Sequence, residues 1–249
     1  FLPQFIGQSL VNVIYEQKVI STYDVSQYEL SESLKSNELR GLAFTIGLEA
    51  PNDGFLDIVL IGDNYSHDQM DLFRSNVNEI ESTILSINPY LTRSSQIRFQ
   101  RIENTQDLGC YRYPAVPRCV LCDESLVLNA VNTAGVPYDK IGIIFNDGQY
   151  GGCAEFFGNM FRVANGNTIG LIAAHELGHN LGADDEYSYG GDGTLDDPQT
   201  CSSSNPNPLW EGTVSSNEYY AQCTYDNYYR SSYDSLMNSF NVEYFNAVS

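Results

Sequence analysis

The segment His175-Glu176-Leu177-Gly178-His179-Asn180-Leu181-Gly182-Ala183-Asp184-Asp185 holds most of the chain's recognisable chemistry. Two histidines four positions apart on a helix project from one face, so two imidazole nitrogens can reach one metal ion. Glu176 follows the first histidine by one position. Its carboxylate is thereby turned from tight ligation toward a water at the metal, where it suits a general base. Gly182 can take the left-handed backbone that ends a helix, so the chain can turn back beneath the ion. Asp185 then arrives as the third ligand, with Asp184 and Glu186 as rivals that spacing disfavours. Two neutral imidazoles and a carboxylate leave a fourth position open, the mark of a catalytic zinc rather than a structural one. The competing reading, two surface histidines on an amphipathic helix, is the weaker one, because two of the chain's three histidines stand here.

Other residues are candidates by position. Met237, in Ser235-Leu236-Met237, is expected in a Met-turn beneath the metal, although a lone methionine often simply fills core space. Tyr187 could donate a hydrogen bond to an oxyanion or to a ligand, or be an ordinary loop tyrosine among 18. Tyr150, Gly151 and Gly152, in a Gly-rich loop, are expected on the upper rim of the cleft, where an extended peptide could add a strand. The acidic stretch 192–197 is a half-formed calcium loop, with solvated carboxylates as the plainer reading.

The elements that must position these residues follow from periodicity. Residues 57–61 (DIVLI) and 141–145 (IGIIF) read as strands buried on both faces, and residues 97–102 as a further strand. Met70, Phe73, Val77, Ile80, Ile84 and Ile87 form one apolar stripe on a long helix that Pro89 closes. Helices are expected at 124–134 and 169–181, the latter capped by Asn167 or Thr168, and a closing helix at 240–248. Residues 156–163 are expected as an edge strand, and 183–234 as a long loop stapled by Cys201 and Cys223. The order of strands and helices predicts an α/β fold with a twisted, mostly parallel sheet, a long backing helix and an antiparallel edge strand. The turn cluster at 50–54 suggests a soft boundary. Residues 1–52, with strands at 11–14 and 42–48, would be a β-rich appendage or the remains of a pro-segment. Residues 53–249 would be the catalytic domain.

Composition narrows the setting. With 32 acidic against 12 basic residues the net charge is −20. Such a surface repels nucleic acid and anionic membranes, and neither is expected as a partner. No apolar run is long enough to span a bilayer. Six cysteines in loop-like sequence suit disulfides and an oxidising compartment, so a secreted, extracellular or periplasmic location is expected. Cys119-Val120-Leu121-Cys122 could instead be half of a zinc ribbon, but no second C-x-x-C exists.

The extended zinc motif with a downstream Met-turn resembles the metzincin metallopeptidases. Most metzincins carry a third histidine where this chain has Asp185, and an aspartate there is similar to snapalysin-like bacterial proteases. The chain most resembles the bacterial IgA-peptidase family of metallopeptidases. That resemblance runs through Ile58-Val59-Leu60-Ile61-Gly62-Asp63-Asn64-Tyr65, Phe73-Arg74, Ile144 to Gly152, His175 to His179, Asp185-Glu186-Tyr187 and Ser235-Leu236-Met237. It departs in one place: Asp-Glu-Tyr begins one residue closer to the second histidine than is usual in that family. The resemblance implies a metzincin-like zincin fold and one catalytic Zn2+ held by His175, His179 and Asp185. It implies an endopeptidase in which Glu176 activates the attacking water. A protein or peptide substrate and a monomeric state are expected. Two rival functions remain at this stage: an inactive binding module on the same fold, and a zinc hydrolase acting on a non-peptide bond.

Overall fold

The structure is a computed structural model. It describes residues 53–196, 198–215 and 219–248, with the backbone of two strands nearer the start. Those two strands, β1 (Leu10–Tyr15) and β2 (Lys18–Asp24), pair antiparallel. The strand expected at 42–48 lies outside the described residues.

The apolar run at 57–61 becomes β3 (Leu56–Asp63), and its alternation serves two cores at once. Ile58 and Leu60 enter one buried cluster, while Val59 and Ile61 enter another on the opposite face. The predicted stripe forms α1 (Met70–Ser86), which buries Met70, Phe73, Val77, Ile80 and Ile84. Next come β4 (Ile97–Ile102) and, in the cysteine loop, the short antiparallel pair β5 (Tyr111–Arg112) and β6 (Val120–Leu121). Helix α2 (Glu124–Ala134) starts where the Asp123 carboxylate accepts from the backbone N–H groups of Ser125 and Leu126. It ends at Gly135, whose φ of 68° is in the left-handed region. Strands β7 (Lys140–Phe145), β8 (Gly152–Ala154) and β9 (Met160–Ala164) precede α3 (Ile169–Asn180).

The main sheet has the order β4-β3-β7-β9-β8. The first four strands are parallel, and β8 runs antiparallel along one edge. Helices α1 and α3 share the core on one face, and α2 covers the other. Parallel strands need both faces covered, which is why β3, β7 and β9 are apolar nearly throughout.

Three expectations are corrected. The edge strand is not 156–163. Phe157 takes a φ of 54° and Gly158 N–H closes a turn onto Glu155 O at 2.9 Å. The fully buried run MFRVA then enters the sheet interior as β9, leaving the shorter, half-exposed β8 at the edge. No helix forms over 240–248, which is irregular or turn. There Tyr244 O accepts from Leu236 N–H at 2.7 Å and the Asn246 amide donates to Glu186 at 2.7 and 2.8 Å. These groups bond across the chain instead of along a helix. Finally, the cap expected for α3 does not form: Thr168 sits at the cap with φ 63°, and its hydroxyl donates to Asn167 O.

The long polar region is more ordered than its composition suggests. Strands β10 (Cys201–Ser202), β11 (Tyr220–Cys223) and β12 (Tyr225–Arg230) make a small antiparallel sheet ordered β10-β12-β11. The expected Cys201–Cys223 disulfide staples it. The other bridges are Cys110–Cys122 and Cys119–Cys153, so the C-x-x-C is not a metal site. The Cys119–Cys153 bridge ties the loop before α2 to the edge strand β8.

Candidate metal centre

Helix α3 is buried on nearly every side, consistent with an apolar sequence all round. Its last turn ends as the motif requires. Ala183 N–H bonds to Gly178 O at 2.9 Å and Gly182 N–H to His179 O at 3.0 Å. That pair of bonds is the Schellman closure, with Gly182 at a φ of 102°. A Cβ on Gly182 would also meet the Phe157 ring at 2.3 Å. Conformation and space therefore both demand glycine, and the chain folds back beneath the helix.

The fold-back brings three side chains together. His175 Nε2 and His179 Nε2 are 3.1 Å apart, and Asp185 Oδ1 lies 3.2 and 3.3 Å from them. Each imidazole is oriented from behind. His175 Nδ1 donates to Leu236 O at 3.0 Å, and His179 Nδ1 to Ala183 O at 2.7 Å. Carbonyl oxygens only accept, so both Nδ1 atoms carry protons and both Nε2 atoms face the centre. With both Nδ1 atoms protonated, two Nε2 lone pairs and a buried carboxylate oxygen then face one another at close range. Such a set repels itself unless a cation or an added proton joins it. Three ligands on a tetrahedron with bonds of about 2.0–2.1 Å stand roughly 3.3 Å apart, close to the separations here. The donor set fits a zinc-like ion, and among the described residues it is the one group of its kind.

The electrostatics agree. Burial pushes the Asp185 carboxyl up, but the two histidines outweigh it and hold the group far below the usual carboxylate range. Burial also disfavours a charged His179, yet hydrogen bonding and charge from Asp185 raise it to about 9. A proton there substitutes for the positive charge that a divalent cation would supply to all three ligands at once. Glu176 is buried beside them, and burial pushes its carboxyl up, partly offset by the histidines. It packs on the edge strand: a Cβ at Gly152 would meet Glu176 Oε1 at 2.6 Å.

The rivals of Asp185 are engaged elsewhere. Asp184 Oδ2 accepts from the backbone of Gln199, Thr200 and Cys201 at 2.8, 2.7 and 3.1 Å. Glu186 accepts from Ser235 Oγ and the Asn246 amide. Three consecutive acids thus anchor three different parts of the fold. Met237 is fully buried under α3, its sulfur 2.9 Å from where a Cβ of Gly178 would lie, and its carbonyl accepts from Glu186 N–H. The turn 235–237 therefore supports the group from below.

Tyr187 stacks over His175, with ring centroids 6.5 Å apart at 18°. Its hydroxyl accepts from Arg118 Nη2 at 3.0 Å and pairs with the Tyr189 hydroxyl at 3.1 Å. Tyr189, not Tyr187, donates to the Asp185 carboxylate, at Oδ2. Both phenols are pushed up by burial and the Asp185 charge, Tyr189 to about 12. Tyr150 and Gly152 line the cleft of about 350 Å3 that contains Glu176, the two histidines and Asp185. Gly151 points elsewhere, against Arg118 O. In the acidic stretch 192–197, Gly193 N–H donates to Asn227 Oδ1 at 3.0 Å, and Asp197 lies outside the described residues.

Sequence reasoning missed the carbonyls of Leu236 and Ala183, which any residue could supply. It also missed Arg118, Tyr189 and Phe240, which only tertiary structure carries to the cleft.

Comparison with known proteins adds a family resemblance. The family model described as IgA Peptidase M64 matches residues 98–216, just under half of the chain, and that span includes the whole metal group. No curated protein matches. Among solved structures, one titled as a chaperone–substrate complex aligns at 12% identity and TM-score 0.39, over 79% of this chain and 30% of its own. The chain thus spans less than a third of that structure's length. An archaemetzincin from Methanopyrus kandleri aligns at 15% identity and TM-score 0.35, over 54% of this chain and 78% of its own. Metalloproteinase-II from Bacteroides fragilis aligns at 16% identity and TM-score 0.35, over 55% and 44%. The region that brings His175, His179 and Asp185 together, residues 98–216, is thus similar to the IgA peptidase M64 family.

Proposed function

We propose that the chain is a secreted zinc endopeptidase whose metal is held by His175, His179 and Asp185 and whose general base is Glu176. One observation carries the reading: three ligand atoms, all within 4.8 Å of one another, line an open cleft beside a buried carboxylate. Bound there, zinc supplies Lewis acidity, polarising the scissile carbonyl and acidifying a water. Glu176 takes the proton from the attacking water and hands it to the leaving amine. Burial raises its pKa, which strengthens it as the acceptor of the water's proton. Tyr187, fixed by Arg118, lines the cleft, and it assists the developing oxyanion when its phenol proton turns from the Tyr189 hydroxyl to the substrate. The exposed edge at β8 gives an extended peptide a strand to pair with.

Three disulfides with no free cysteine support export to an oxidising compartment, and among the described residues no helix is long and apolar enough to cross a membrane. Residues 53–249 would act as the catalytic domain, with 1–52 an appendage, and the enzyme would work as a monomer.

Casein digestion with and without a chelator tests the proposal. Activity should vanish on chelation and return with zinc. Zinc-loaded protein that leaves casein and a broad peptide mixture intact would point instead to a binding module or to a non-peptide hydrolase. A second expectation concerns Gly152. A methyl group there overlaps Glu176 Oε1, so Gly152→Ala should move the base by a fraction of an ångström or more. Zinc stoichiometry should stay at one while kcat falls about a hundredfold, the size expected of a small misplacement. A normal kcat for this variant would mean the carboxylate position does not matter.

A further inference from the structure

Next to the metal cleft lies a smaller open cavity of about 220 Å3. The two share Arg118, Tyr150, His175, Tyr187 and Phe240, so a side chain flanking the scissile bond has direct access to it. The rest of its wall is Leu236, Asn238 and Ser239. Apart from the ligand His175, Arg118 is the one ionisable cation on that wall, and no carboxylate lines it.

Most of the described arginines are ion-paired; Arg93 and Arg230 are not, but Arg230 spends its fork on the carbonyls of Ala221, Gln222 and Tyr233, and Arg93 bonds Gln96, away from either cavity. Arg74 pairs with Asp71 and Glu103, Arg98 with Asp53 and Asp57, Arg112 with Asp147, and Arg162 with Glu124 and Glu155. In a chain with 32 acidic residues, ion pairing is the default for a guanidinium. Among the described residues, none of the ion pairs involves Arg118. Its side chain makes one hydrogen bond there, to the Tyr187 hydroxyl at 3.0 Å, and lies 5.4 Å from the centre of that ring. A guanidinium has five N–H donors in a planar fork suited to a carboxylate. Most of that fork is unspent and stands at the shared wall of the two cavities. The position is built, since the adjacent Cys119–Cys153 bridge ties this loop to the edge strand.

We infer that Arg118 sets substrate specificity by binding a carboxylate of the substrate in the smaller cavity, next to the scissile bond. The inference rests on the peptidase reading above. The carboxylate is either an aspartate or glutamate side chain or the free C-terminus of a short peptide. Lysine or arginine at the same position meets a like charge and is disfavoured.

The test uses zinc-loaded protein and fluorogenic peptides varied position by position around the cut, with Glu, Gln or Lys, each with a free or an amidated C-terminus. Wild type should prefer Glu over Gln at one position by about five- to tenfold in kcat/KM, as suits a partly exposed bidentate pair. If the terminal carboxylate is the ligand, the same preference appears between free and amidated peptides. Because Arg118 also steadies Tyr187, each variant is judged by its Glu-to-Gln ratio and not by its absolute rate. Arg118→Gln should bring that ratio to about one, Arg118→Lys should retain part of it, and Arg118→Glu should favour Lys. Cleavage without a carboxylate preference at any position, or an unchanged ratio in Arg118→Gln, overturns the inference and leaves the peptidase standing. Absence of chelator-sensitive cleavage of every peptide overturns both. If Arg118→Gln fails to fold, the wild-type preference and the Arg118→Lys ratio still decide.

Discussion

Glu176→Gln should retain one zinc per chain and lose about a thousandfold in kcat, within the range that a positioned general base contributes. The substitution keeps the size of the side chain and its place between α3 and Gly152, so the cleft should keep its shape. What it removes is the ability to accept a proton. A thousandfold corresponds to roughly 4 kcal/mol of transition-state stabilisation. Steady-state kinetics with metal analysis on the same sample separates the two effects. Near-normal turnover in this variant would mean that the proton goes elsewhere.

The second large effect distinguishes neighbours. Asp185→Asn should weaken zinc binding by more than about a hundredfold, beyond what loss of an outer partner costs. It removes the one carboxylate whose oxygen stands 3.2 and 3.3 Å from the two Nε2 atoms. Asp184→Asn should bind zinc normally. Its cost falls on stability, about 1–2 kcal/mol, because charged acceptance from three backbone N–H groups becomes neutral. Chelator competition and thermal unfolding on the pair read both quantities. If instead Asp184→Asn loses the metal and Asp185→Asn keeps it, the ligand assignment is reversed.

The sequence was informative where one local rule decides the outcome. The stripe from Met70 to Ile84 could only be a one-faced helix, and the run at 57–61 needed cover on both sides. The same holds for His175, His179 and Gly182, since helix pitch sets the first two and left-handed backbone the third. Legibility ended where tertiary partners outweigh local preference. Residues 240–248 read as a helix, yet Tyr244 and Asn246 take their hydrogen bonds from distant segments. Residues 156–163 read as one strand, but a turn at Phe157 and Gly158 divides them. The supports of the metal group are backbone carbonyls of Leu236 and Ala183, which no residue type announces. Arg118 was invisible for another reason: it reaches the cleft beside a disulfide whose pairing, one of several open to six cysteines, spacing did not indicate.

All of this depends on one ion sitting among three side chains with room left for a water. Anomalous diffraction at the zinc edge, from crystals of protein loaded with one equivalent of zinc, measures that directly. The account predicts a single peak about 2.0–2.1 Å from Nε2 of His175, Nε2 of His179 and an oxygen of Asp185, with the remaining position facing the cleft. A peak away from these three groups, or an ion enclosed by four protein donors, would contradict it.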